Sequence, residues 1–85
     1  MTPIFRELEA VVLAHDLAAE GLRGGDLGTI VHMYDPEAFE VEFVTASGKT
    51  LALLTLSATD LRPVSDDDLL AVRPTTSRQG AAQQV

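Results

Sequence analysis

Apolar and polar residues alternate most cleanly in "AFEVEFVT", residues 38–45, where Phe39, Val41 and Phe43 are separated by Glu40 and Glu42. A period of two with one charged side predicts a β-strand that buries one face and wets the other. "LGTIVHMY", about 27–34, predicts a second strand. Strict alternation puts Gly28, Ile30, His32 and Tyr34 on one face and Thr29, Val31 and Met33 on the other. Both faces are partly apolar, as expected of a bent strand that serves two sheets or meets a second molecule. "TLALLTL", about 50–56, is the returning strand and is too apolar to phase. The β-branched run at Val11 and Val12 favours a strand at about 9–13 over a helix through Phe5, Leu8, Val11 and Val12. A turn of helix or an extended arm over 4–8 precedes it. "LRPV" makes a last short strand, ended by Pro63, which has no N–H for a ladder.

The connections carry their own signals. Residues 14–26 form a long loop in which Leu17 and Leu22 are expected to fold back over a core. Gly24 and Gly25 mark a tight turn, and "DPE" at 35–37 marks another, with the φ of Pro36 preset for it. "ASGK" reads as a hairpin loop with Gly48 at positive φ, and "SATD" as one 3₁₀ turn. Beyond Val64, Ser65 as an N-cap with Asp66 to Asp68 behind it predicts a short helix. The polar "RPTTSRQGAAQQV" is expected to be disordered. The fold class that emerges is mainly β: a small SH3-like β-barrel of about five strands over residues 1–64, with a C-terminal appendage over 65–85, a short helix and then a disordered tail. Core candidates are Val11, Leu13, Ile30, Phe39, Val41, Phe43, Leu54 and Leu61.

Composition narrows the chemistry. Eighty-five residues make one small domain, and the absence of cysteine removes disulfides and thiolate chemistry together. The net charge is −7, and residues 1–64 hold ten acidic side chains against four basic ones. Nucleic acid is therefore a disfavoured partner, because phosphate neutralisation needs Lys and Arg, whereas a basic protein is favoured. No apolar run reaches the roughly 20 residues of a membrane span. The N-terminus shows no basic region followed by an apolar one, so a cytoplasmic location is expected.

Candidate catalytic groups fail on context. "GLRGGDLGTIVHMY" places Asp and Leu where a phosphate loop needs Lys and Ser or Thr before a helix. His15 and His32, on a loop and a strand, define no metal set, and His15 is expected to be solvated. Glu40 and Glu42 lie on one wet face, and a barrel this size encloses no pocket to split their pKa values. Asp66 to Asp68 reads as a cap, or as an acidic hook for a basic groove. No serine has a convincing base. The expectation is a non-enzymatic protein-interaction module with no catalytic residue, cofactor or metal. Its partner-binding candidates are the surplus apolar residues Val31, Met33, Val44 and Leu53, ringed by Glu40 and Glu42. Self-association through the same patch is a companion expectation.

The opening "FRELEAVVLAHDL", the "GLRGGDLGTIVHMY" corner, "FEVEFV", the Gly-Lys hairpin and the closing "LRPV" resemble the bacterial family catalogued as domain of unknown function 4926, over about residues 4–64. Members resemble small proteins encoded beside suspected toxins. The resemblance thus implies an antitoxin- or immunity-type role, with a basic toxin-like protein as partner, and transfers no functional residue. "GDLGTIV" also resembles the KOW element of ribosomal and transcription-factor barrels, which makes an RNA-associated accessory domain the alternative. Against it, this loop carries Asp16, Glu20 and Asp26 with Arg23 as its one cation.

Overall fold

The computed structural model describes residues 5–75. Period-two alternation builds its centre. In β3 (Ala38–Val44), Phe39, Val41 and Phe43 are buried, while Glu40 and Glu42 are only half-buried. β3 pairs antiparallel with β2 (Leu27–Asp35) on one side and with β4 (Thr50–Ser57) on the other. β2 continues onto β1 (Ala10–Leu13), and β1 onto β5 (Leu61–Pro63). The resulting order, β5-β1-β2-β3-β4, is that of an SH3-like barrel, with a 3₁₀ turn at Ala58–Asp60 between the last two strands. β4 and β5 are not paired with each other, so the barrel is open along that seam.

Seven of the eight expected core residues are buried, and Leu54 is half-buried at the open edge. Phe5, Val12, Leu22 and Leu56 join them. Phe5 packs edge-on against Phe39, with ring centroids 5.4 Å apart. Leu22 is brought in by a bridge to Leu17, each amide donating to the other's carbonyl at 3.0 and 3.2 Å. The long loop therefore folds over the core. Residues 7–8 form a turn rather than helix.

Two features depart from the sequence pattern. The first is β2, where strict alternation fails. Ile30 pairs with Val41 and His32 with Glu40, so Val31 is an extra residue, a β-bulge, and a second irregularity falls at Tyr34. A bulge exchanges the faces of all that follows it. Met33 is consequently opposite Phe39 and packs against the core, while His32 turns to the wet face beside Glu40. The second is the appendage. No helix forms over 65–75. Asp68 begins one: its carboxylate accepts the Ser65 N–H at 2.7 Å, and its own N–H donates to the Ser65 carbonyl at 3.1 Å. Arg62 then holds that carboxylate from two nitrogens, both at 2.9 Å, and the two contacts bring its pKa down to about 2. Eight residues ahead of Arg73-Pro74 are too few to propagate a helix, and Pro74 disfavours helical backbone at Arg73. The chain runs on without regular structure. The expected disordered tail begins at Arg73, which is ordered by contacts described below; residues 76–85 lie outside the described residues.

The glycine corner is structural. Gly25 takes the turn at φ +98°, whereas Gly24 is not at positive φ and is required instead by close approach, since a Cβ there would lie 3.2 Å from the His15 backbone. Gly28 is the tightest point: a Cβ would lie 2.8 Å from both Phe43 and Val41 side-chain atoms. Phe43→Ala is expected to cost about 3–5 kcal/mol, a large share of what a domain of this size has. Gly28→Ala is expected to cost about 1–3 kcal/mol by overpacking. In the Phe43→Ala background that cost should fall, because the obstructing ring is gone and only Val41 still crowds the site. Urea unfolding of the four proteins measures the coupling, and strict additivity would show that the two residues do not meet.

Candidate functional site

A groove of about 480 Å³ opens between the corner that leads into β2, the β3–β4 hairpin and the segment that follows β5. Local chain geometry makes it. The hairpin turn bonds Thr45 N–H to the Lys49 carbonyl at 2.9 Å. A bulge then leaves Leu51 unmatched between the Phe43–Ala52 and Val44–Thr50 pairs. That irregularity exposes both Val44 and Leu51 at the groove, above the buried edge of Phe43.

Among the described residues, eleven large hydrophobic side chains are exposed, and six of them line this groove: Leu27, Val44, Leu51, Leu69, Leu70 and Val72. Val72 is wholly exposed and Leu69 is 90% exposed, so the segment stands beside the barrel without burying its own apolar surface. The two charged lining residues are Asp26 and Arg73, and they neutralise each other. Arg73 Nε donates to Asp26 Oδ1 at 2.9 Å, and its Nη2 donates both to the other Asp26 oxygen and to the Gly21 carbonyl, the latter at 3.1 Å. Asp26 is preset for this, because its Oδ2 also accepts the Arg23 N–H at 2.8 Å. The Arg73 guanidinium, helped by that N–H, holds the Asp26 carboxyl below the usual carboxylate range, against the desolvation of partial burial. One ion pair thus fixes the position of residues 69–75 as the groove's third wall.

The site residues expected from sequence fall in three places. Val44 lines the groove. Met33 belongs to the core, for the reason given above. Val31, Leu53, Glu40 and Glu42 lie on or beside the wet face of β2, β3 and β4, with Leu53 directly opposite Glu42. That face is a hydrogen-bonded array. Glu40 Oε1 accepts from Tyr34 at 3.0 Å and from Thr55 at 2.8 Å, and Glu42 accepts from Thr50. His32 stacks edge-on with Tyr34 at 4.7 Å and faces Glu7. Leu27, Leu51, Leu69, Leu70 and Val72 were missed because their meeting depends on a bulge and an ion pair that leave no mark in a local pattern.

His15 is exposed, as expected, and bonds Asp60 through Nε2 at 2.7 Å. The Asp60 carboxylate and the Asp16 carbonyl raise the His15 pKa. Among the described residues, no three His, Cys, Asp or Glu side chains come together as a metal site would require.

Two titrations follow. The Asp26 pKa is depressed in the folded state, so its contribution is full above the ordinary carboxylate range of about 4 and is lost as pH falls through the lower folded value. Acidification should release residues 69–75 while the barrel persists, seen as loss of amide protection confined to that segment and the corner, and Arg73→Gln should remove the step. The His15 pKa is raised, so its contribution is full below about pH 6.5 and is lost as pH rises through the folded value. His15→Gln should flatten the stability profile in that window, read by urea midpoints between pH 5 and about 8.

The sequence profile of the family described as "domain of unknown function (DUF4926)" matches residues 7–63. No curated protein and no solved structure matches the chain. The match spans every strand from β1 to β5 and both the corner and hairpin walls of the groove, whereas the Arg73 wall lies beyond it. Covering well over half the residues, it places this chain in the DUF4926 family.

Proposed function

We propose that the chain is a non-enzymatic protein-interaction module that holds an apolar segment of a basic partner protein in the groove between the β1–β2 corner and the β3–β4 hairpin. The observation that carries this reading is that six of the exposed large apolar residues line one groove whose two charges cancel. Contiguous exposed apolar surface of this kind marks an interface. The surrounding molecule is strongly acidic, at net charge −7, which steers a basic partner and repels a polyanion. The groove presents apolar side chains and backbone around a self-neutralised ion pair, which suits recognition better than proton transfer. An antitoxin- or immunity-type role is the form of such binding that the family resemblance implies, with a partner that is neutralised by capture.

Selection of peptides from a random display library against the full chain tests the reading. Sequences with two or three large apolar residues flanked by Lys or Arg are expected, with affinity that falls as salt rises. Val44→Asp alters a side chain that is 54% exposed, so it should leave the fold intact. It should weaken those peptides at least about tenfold, because a carboxylate would be buried unpaired in the contact. Peptides that bind Val44→Asp as well as wild type would move the site elsewhere. Tight RNA binding with a steep salt slope would overturn the reading altogether.

A further inference from the structure

The two edges of the sheet are built differently. β5 has three residues, including Arg62 and Pro63, and so carries the usual protections of an edge: shortness, charge and proline. β4 has eight residues, Thr50–Ser57, with neither charge nor proline. On its outer side it pairs with nothing among the described residues. Leu53 is 52% exposed on it, and Leu54, in the core by its alternation, is only half-buried. The Thr50 and Thr55 hydroxyls are turned back to Glu42 and Glu40 on β3, so they satisfy those carboxylates rather than guard the edge.

We infer that the β4 edge pairs antiparallel with β4 of a second copy of this chain, across a two-fold axis perpendicular to the sheet. Self-complementarity selects that occupant. A perpendicular two-fold keeps each face continuous, so the exposed Leu53 side chains of the two copies come together on the outer face, and the half-covered Leu54 side chains on the inner one. Charge permits it. Two chains of net charge −7 repel, but the seam itself is uncharged. Three strand spacings separate Glu40 and Glu42 of one copy from those of the other, about 14 Å, which is beyond the screening length in ordinary salt. One pair of eight-residue strands buries less than a permanent dimer needs, so the association is weak, on the order of micromolar to hundreds of micromolar. The groove stays open in the dimer except near Leu51, which both surfaces share.

Sedimentation of the full chain across a wide concentration range, at low and at high NaCl, is the test. A monomer–dimer equilibrium that tightens with salt is expected, because salt screens the mutual repulsion of two acidic bodies and leaves the seam untouched. Binding of a basic partner in the groove weakens with salt, so the two ideas fail separately. Leu53→Lys retains the fold, because the new ammonium lies opposite Glu42, and it blunts the edge; self-association should weaken at least about tenfold. In wild type, amide exchange should show protection that grows with concentration and is confined to β4. A chain that is monomeric at every concentration and in both salts overturns the inference, as does a dimer that Leu53→Lys leaves unchanged, or protection that appears on another element. Protection of β4 that appears only on adding a selected peptide would give the edge to the partner and overturn self-pairing too. Val44→Asp should leave the self-association constant unchanged while it loses the peptides.

Discussion

The close approach of bare backbone at Gly28 to the side chains of Phe43 and Val41 is the constraint on which the rest of the molecule depends. A Cβ at residue 28 would stand 2.8 Å from both, so the sheet closes to its present depth only where no side chain intervenes. That contact lets β2 bend across the core, and the bulge at Val31 completes the bend by exchanging the faces of the strand's second half. With Phe43 seated against Gly28, the next residue, Val44, is left at the rim, and the bulge on β4 leaves Leu51 beside it. The groove is thus a consequence of how the core closes.

Electrostatics divide the surface into zones. Thirteen acidic residues against six basic ones give the whole chain its charge, yet the apolar groove and the β4 edge are locally neutral, for different reasons. The groove is neutral because Arg73 returns from the end of the described chain to Asp26. The edge is neutral because its sequence, TLALLTLS, has nothing to ionise, and its threonines bind the glutamates next to it. Arg62 is occupied as well, by Asp68. Two of the six cations are therefore committed to carboxylates of this same chain.

Much of the fold was legible in the sequence, and for a definite reason. Alternation in β3, the β-branched run in β1 and the turn residues at Pro36, Gly48 and Ser57–Asp60 are local signals, and local signals specify which residues form strands and where those strands stop. Their order sufficed for the strand order of an SH3-like barrel, and β3's period sufficed for the central core. The limits of such reading are visible in β2. A bulge costs one residue of register and inverts every side chain after it, so Met33, an outward residue by strict alternation, lies against Phe39.

The sequence by itself determined the strands, their order, the core of β3 and the acidic character of the whole. Those properties reside in each residue and its nearest neighbours. Only the tertiary structure decided which apolar residues meet outside the core. Val44 joins Leu51, Leu27 and Val72 because a bulge, a loop corner and an ion pair from Asp26 to Arg73, 47 residues apart, bring them to one groove. The helix start at Ser65 went unfulfilled as well. Arg62 holds Asp68 and Asp26 holds Arg73, and the eight residues from Ser65 to Val72 offer too few backbone hydrogen bonds to offset the cost of nucleating a helix.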